Sequence, residues 1–481
     1  MVATILDEIS LFNIRDQIVG LDKKVPILDG TTRTYINFDN AASTPMLSPV
    51  LRKVSQFLEW YSSVHRGTGF KSQLSSQIYD QVHEIVADFV GANKESNTVI
   101  LVKNTTEAIN KLARTFPFEE GDIVLTSLME HHSNDLPWRK AAKVIHIPVK
   151  SSGELDESQF DLLLQKYAGR VKLVTIAGAS NVTGYINPIH RLAEKSHAVG
   201  AKILIDAAQL IAHRKIEMLP DDHPAHLDFL AFSAHKMYAP LGSGALIGGK
   251  DYFLAKDPES VGGGTVKFVG LKTVRWTDLP DREEPGSPNT VGAVALAEAI
   301  ACLTQIKVEN IAAHESSLVR YLQKKMDDIP DVILYDSADQ SSSEEKVGVI
   351  PFEIEGVSHN LVAAILSYEA GIGVRNGCFC AHPYLLNLMN VSRKDIVKFR
   401  NQIDQGIRVN VPGLVRISFG CYNNFQEIDR LIDALEMITS RKWKGKYLQE
   451  ISSGEFHPQG FIPDFQEFFS LENKRHLPTK H

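Results

Sequence analysis

The sequence predicts an α/β protein: a large domain built on a doubly wound, mainly parallel sheet, with a smaller α+β domain beside it. Three observations carry that prediction. From about Asn37 to Leu303, short β-branched runs alternate with longer helical stretches; they include TVILV (Thr98–Val102), DIVLTS (Asp122–Ser127), KLVTIAG (Lys172–Gly178), KILID (Lys202–Asp206) and DFLAFS (Asp228–Ser233). These runs are almost continuously apolar, as strands covered by helices on both faces must be. After the helical stretch that begins at Val291 the text changes character, and VGVIPFEIEG (Val347–Gly356) and GLVRISFG (Gly413–Gly420) read as strands of a second unit.

Element by element, the chain divides into an N-terminal segment 1–36 packing with the small domain, a large domain 37–305, a small domain 306–440 and an extension 441–481. The polar run Ser337–Lys346 reads as a solvated loop. Ser392, with Asp395 three residues on, resembles a helix cap; Ile396, Phe399 and Ile403 then share one helical face, and Gly406 ends the helix. The extension carries Trp443, Tyr447, Phe456, Phe461, Phe465, Phe468 and Phe469, too many aromatics for a free linker, so it is expected to drape over the body or over a partner subunit.

Composition excludes several function classes. The 481 residues carry 51 Lys+Arg against 58 Asp+Glu, a net charge of −7, which argues against a binder of nucleic acid or of anionic membranes. No apolar run approaches the ~18 residues of a membrane span. The opening MVATILDEISLFNIRD lacks the layout of a signal peptide, and four cysteines are too few for a disulfide framework. A cytoplasmic protein with reduced thiols is expected.

The chemistry-bearing residues follow the strands. DFLAFSAHKMYAPLGSGAL puts His235 and Lys236 on the turn after a strand, where open α/β sheets bind ligands. Lys236 is either a solvated loop lysine or a desolvated amine nucleophile. Asp206 ends the very apolar KILID, with Gln209 three residues later; such an acid is a helix cap, or the carboxylate that keeps a cofactor ring nitrogen protonated. Thr105 and Thr106 open a helix after a strand, where hydroxyls and N–H groups cap or cradle a phosphate. The GxxxxGK[ST] and GxGxxG strings of ATP and dinucleotide sites are absent. His131-His132 follow another strand, but no HExxH or CxxC framework accompanies them, so no metal is expected and a ring packed on a planar cofactor fits better. Cys378 and Cys380 sit in the glycine-bounded loop GIGVRNGCFCAHPY near Arg375 and His382, cationic neighbours of the kind reactive cysteines use.

Taken together, FDNAAST, SSVHRGTGFKS, NTTEAIN, MEHHSN, SNVTG, IDAAQ, FSAHK, EPGSPNT, RNGCFCAHP and VRISFGCYN resemble, in order, the motifs of the class V aminotransferase superfamily of fold-type I pyridoxal-phosphate enzymes, and within it the cysteine desulfurase/selenocysteine lyase family. The likeness runs from about Asn37 to Leu435. It implies pyridoxal 5′-phosphate as cofactor and Lys236 as the lysine bonded to it. It implies Asp206 at the ring nitrogen, Gln209 near the 3′-oxygen, and Thr105, Thr106, Ser233 and His235 at the phosphate. His131 is implied to stack on the ring and move protons. Asn181 and Arg416, with Arg375, are implied on the substrate side, and Cys380, in RxGxxCAxP, as the nucleophile. Ser287 falls where the family has a threonine reaching the phosphate of the other subunit, so a homodimer is implied. The activity implied is conversion of L-cysteine, or a related amino acid, to L-alanine with persulfide sulfur on Cys380 for an acceptor protein. The alternative is another enzyme of the superfamily, a C–S lyase, epimerase or aminotransferase. Cys378, the longer chain between Cys380 and Arg416, and the aromatic tail depart from the family pattern; one consequence would be sulfur passing on to Cys378.

Overall fold

A computed structural model describes residues 9–65, 67–335 and 346–471. Seven strands form the large sheet: β1 (Asn97–Val102), β2 (Ile123–Ser127), β3 (Lys143–Ile147), β4 (Val171–Ala177), β5 (Lys202–Asp206), β6 (Phe229–Ser233) and β7 (Gly244–Gly249). Their order is β1-β7-β6-β5-β4-β2-β3, parallel throughout except for β7, which runs antiparallel between β1 and β6. Only residues 234–243 connect β6 to β7, too few for the crossover that a parallel return needs. Gly244 opens β7 because a Cβ there would lie 2.4 Å from the Phe232 carbonyl oxygen and 3.2 Å from Asn104 Cα.

The near-continuous apolar strand text has a direct cause. Successive side chains point to opposite faces: Ile123, Leu125, Ile203, Ile205, Leu230 and Phe232 join one core, while Val124, Leu173, Leu204, Phe229 and Ala231 join another across the sheet. Burying each of these Val, Leu, Ile and Phe side chains contributes about 1.5–3 kcal/mol. Helices α1 (Ser48–Leu58) and α2 (Phe70–Phe89) pack on α4 (Thr290–Ile306), whose sequence is apolar nearly all round; α3 (Thr105–Thr115) covers the opposite face. α5 (Val308–Asp327) leaves α4 at 73°, and no single described helix is long and apolar enough to cross a membrane.

The second sheet has four antiparallel strands, β8 (Val332–Leu334), β9 (Val349–Ile354), β10 (Arg375–Gly377) and β11 (Leu414–Ser418), in the order β8-β9-β11-β10. Its own core includes Phe352, Ile365, Leu366, Val415, Leu431 and Leu435, drawn from the sheet and from α6 (His359–Ala370) and α9 (Phe425–Thr439). Between the strands lie α7 (His382–Leu388) and α8 (Arg393–Asp404). Ser392 Oγ accepts the Asp395 N–H as the spacing predicts, and Gly406 is left-handed at φ 75°. The shared face of Ile396, Phe399 and Ile403 differs from a core-packed helix, because α8 buries none of its residues.

The segment before Asn37 does not pack with the small domain alone. Ile9, Ile14 and Ile18 enter the core of the large sheet, while Ile36 joins the small domain's core and pairs with Ile372, Arg15 meets Glu427 of α9 at 2.9 Å, and Leu28 N–H donates to the Tyr368 carbonyl of α6 at 2.7 Å. The tail does drape over the body as far as Phe461. Its strands Tyr447–Gln449 and Phe456–Pro458 pair beside α6, Glu369 accepts from Lys444 N–H, Gly445 N–H and the Tyr447 hydroxyl, and Phe461 meets Tyr368 edge to face. Phe465, Phe468 and Phe469 are exposed. The polar run Ser337–Lys346 lies, up to residue 345, outside the described residues, as does Arg66 of SSVHRGTGFKS.

Candidate active site

Parallel strands deliver their carboxyl ends to one edge of a sheet, and loops leaving that edge collect the polar residues. After β1, Asn104 Oδ1 caps α3 by accepting the Glu107 N–H at 3.0 Å, which places Thr105 and Thr106 in the first turn. The Thr105 N–H donates to Ser233 Oγ at 2.7 Å, and the two hydroxyls also meet at 2.7 Å, joining the ends of β1 and β6. The one-turn helix Ala234–Lys236 continues β6, and its backbone is clipped down by Thr44, whose N–H and hydroxyl donate to the His235 carbonyl at 2.9 and 3.1 Å.

A cavity of about 400 Å³ opens at this edge. It gathers Thr105, Thr106, His131, Asn181, Asp206, Gln209, Ser233, His235, Lys236, Arg375, Cys380 and Arg416; of the candidates from the sequence, Ser287 and Cys378 lie outside it. Ser287 is exposed on the loop ahead of α4 and lines a different recess with Lys103 and Asn289.

The cavity tunes its titratable groups mainly by withdrawing them from water. Burial lowers the Lys236 pKa to about 8, against the pull of Asp206, with the Arg416 guanidinium adding to the fall. Burial raises the Asp206 carboxyl above the usual carboxylate range, although the Ala208 N–H donates to it at 3.0 Å. Burial also holds the His131 imidazole at about 4, helped by the charges of Lys236, His132 and Arg416, and holds His235 at about 4. Both rings are therefore neutral at neutral pH. Gln209 donates to the Ala41 carbonyl at 2.7 Å.

The smaller sheet supplies the other wall. Arg375 and Arg416 are register partners on β10 and β11, and Asp39 takes both: Arg416 donates to Oδ1 at 2.9 Å, and Arg375 Nε lies 3.3 Å from Oδ2. Arg416 also donates to the Asn181 carbonyl at 2.9 Å and lies over the Phe379 ring, 5.0 Å from its centroid. Its Nε is buried and meets no acceptor in the protein, while the residue itself lines the cavity.

Cys380 is exposed and follows Phe379, and both are left-handed at φ 55° and 51°. Two consecutive non-glycine residues there cost roughly 1–2 kcal/mol each. The loop is held by Asn181 Nδ2 on the Phe379 carbonyl at 2.7 Å and by the His132 N–H on the Cys380 carbonyl at 2.8 Å, while His132 stacks on His382. Cys378 behaves differently. Its thiol donates to the Pro412 carbonyl at 3.2 Å, burial pushes its pKa up to about 11, and it does not line the cavity.

Three site residues went unassigned in the sequence although they sit inside its motifs. Ser133, in MEHHSN, bridges Thr106 and His131 through hydroxyl contacts of 2.7 and 3.0 Å. Glu130 of the same motif is buried, accepts from Ser127, from Ala177 N–H at 3.0 Å and from Asn134 Nδ2 at 2.6 Å, and is pushed by burial to about 8; it braces the loop that presents His131. Asp39, in FDNAAST, has no signal beyond membership of that motif.

Comparison with known proteins agrees with this geometry. Residues 36–431 match the family model described as aminotransferase class-V. A cysteine desulfurase of Haloferax volcanii is 31% identical over 88% of this chain and 94% of its own, and a probable cysteine desulfurase of Vibrio cholerae is 33% identical over 89% and 98%. Among solved structures, the apo cysteine desulfurase of Thermococcus onnurineus superposes with a TM-score of 0.74 at 31% identity, covering 85% of this chain and 95% of that one. The Escherichia coli cysteine desulfurase CsdA gives 0.74 at 25% identity, covering 90% and 99%. With its fold, its ordered motifs and these likenesses in agreement, the chain belongs to the class V aminotransferase family, in its cysteine desulfurase branch.

Proposed function

We propose that the protein is a pyridoxal-phosphate-dependent cysteine desulfurase that converts L-cysteine to L-alanine and leaves the sulfur as a persulfide on Cys380. The observation that carries this reading is an exposed thiol at the rim of the cavity that also holds Lys236 and Asp206. The donor set suits the cofactor: a low-pKa lysine, a buried carboxyl, hydroxyls at a helix start and a neutral histidine share one space. Lys236 would anchor it, Asp206 hold its ring nitrogen and Gln209 its 3′-oxygen. Thr105, Thr106, Ser233 and His235 would hold the phosphate. When bound, it supplies an electron sink for charge that develops at the substrate α-carbon.

The protein's own residues do the rest. The Arg416 guanidinium, with Arg375 and Asn181 alongside, binds and orients the substrate carboxylate, a charge-assisted contact that also fixes the side-chain direction. Lys236 Nζ, a substantial fraction of it neutral near pH 8, and neutral His131 move the α-proton. Cys380 Sγ takes the substrate sulfur: the Cβ–S bond breaks, an S–S bond forms, and a proton ends on the former β-carbon to give alanine. The exposed position of Cys380 suits onward transfer to an acceptor protein. The position of Ser287 outside the cavity suits a homodimer in which it reaches a neighbouring site.

Incubation of purified protein with L-cysteine and the cofactor, with alanine, persulfide, sulfide and pyruvate measured together, tests the reading. Alanine in step with persulfide on Cys380 is expected. Pyruvate with ammonia would instead identify a β-elimination lyase.

A further inference from the structure

At the opposite edge of the large sheet, where β5 and β6 begin, three side chains converge that the proposed chemistry does not use. His197 Nε2 lies 2.8 Å from Asp228 Oδ2, and His226 Nε2 lies 3.4 Å from Asp228 Oδ1. The two imidazoles stack, with centroids 4.2 Å apart and planes inclined by 19°. Each ring is fixed from behind. His197 Nδ1 donates to the Pro224 carbonyl, and His226 Nδ1 to the His223 carbonyl, both at 2.7 Å. A carbonyl only accepts, so both Nδ1 atoms carry hydrogen and the Nε2 atoms face Asp228; the carboxylate also only accepts, so His197 Nε2 donates to it at 2.8 Å, and an ion bound here displaces that hydrogen. This backing of a histidine by a main-chain carbonyl is how metal-site histidines are commonly oriented.

We propose that His197, His226 and Asp228 form a binding site for a divalent transition metal of the zinc type, remote from the catalytic cavity. The three donor atoms lie within 4.8 Å of one another, and Asp228 is itself positioned by the Ile203 N–H at 2.9 Å. Two imidazoles and one carboxylate suit zinc and its neighbours rather than calcium or magnesium, which take oxygen sets. Ligands about 2.0 Å from zinc stand roughly 3.3 Å apart in a tetrahedron, so the His197 contact has to open by about half an ångström, and one of the two stacked rings has to turn about its own χ angles for both in-plane Nε2 lone pairs to meet one ion. Lys202 is the competitor: its Nζ sits 2.8 Å from Asp228 Oδ1, on a side chain that is 36% exposed. A bound ion would tie the end of helix Ile189–His197 to the loop before β6 and to the sheet edge.

Zinc titration of the cofactor-loaded protein by calorimetry, with bound zinc counted after dialysis, tests this. A Cys380→Ser background removes the exposed thiol as a rival ligand. One zinc per chain is expected, lost in His226→Gln and in His197→Gln. In Lys202→Met the affinity should rise about tenfold or more, because a cation beside the carboxylate is gone. Binding that survives both histidine variants, an absence of binding, or a Kd in Lys202→Met no tighter than in the parent overturns the proposal. Should a histidine variant fail to fold, the Lys202→Met comparison decides alone.

Discussion

Lys236→Met should make the cofactor-free protein more stable at neutral pH while destroying its function. Burial depresses the Lys236 pKa from 10.5 to about 8, with Asp206 opposing and Arg416 assisting. The unfolded chain therefore binds more protons at this position than the native one. The penalty is full below pH 8, shrinks between pH 8 and 10.5, and is gone above. The gap between 10.5 and about 8 corresponds to about 3 kcal/mol, an upper bound. Partial exposure of the side chain lets solvent screen part of it, leaving roughly 1–3 kcal/mol at pH 7 and less than about 1 kcal/mol at pH 10. Methionine preserves the length and apolar stem and carries no charge. Urea unfolding of both cofactor-free proteins, followed by circular dichroism at pH 7 and pH 10, reads the difference. Equal stabilities at pH 7, or a gain of the same size at both pH values, would refute the argument that desolvation of this ammonium depresses its pKa.

Further outcomes follow from the same geometry. His131→Ala should lower kcat by about 10²–10⁴ with the fold retained, as steady-state kinetics and circular dichroism would show. Cys380→Ala should abolish alanine formation while cofactor absorbance persists, whereas Cys378→Ser should leave the alanine rate unchanged, since that thiol is engaged with Pro412. Asn181→Ala leaves the Phe379 carbonyl without its donor and should cost about 1–3 kcal/mol of stability. It should also slow single-turnover persulfide formation, because the loop bearing Cys380 loses its tie. Arg416→Lys should raise KM for cysteine about tenfold or more, because an ammonium cannot serve Asp39, the Asn181 carbonyl and a carboxylate in one plane.

Legibility in the sequence tracked how local the cause was. Five of the large sheet's seven strands were named from the sequence, because helices cover both faces of the sheet and make the text almost continuously apolar. The residues at their carboxyl ends could be assigned to one site because parallel strands share an edge, and the cavity holds all of those candidates. The Ser392 cap was legible for the same local reason. Less local features were not. The apolar stripe of α8 looks like a core face in sequence, yet α8 buries nothing, because burial depends on what lies opposite.

By itself, then, the sequence determined the fold class, the strand-end chemistry and the family, since these rest on patterns within a few residues of each other. Tertiary structure alone decided which of two thiols two positions apart faces the cavity, through the left-handed turn at Phe379 and Cys380. It alone brought Asp39 to Arg416 across 377 residues of chain. Both are matters of side-chain direction and long-range closure, and those are set by the packing of the whole molecule rather than by neighbours along the chain.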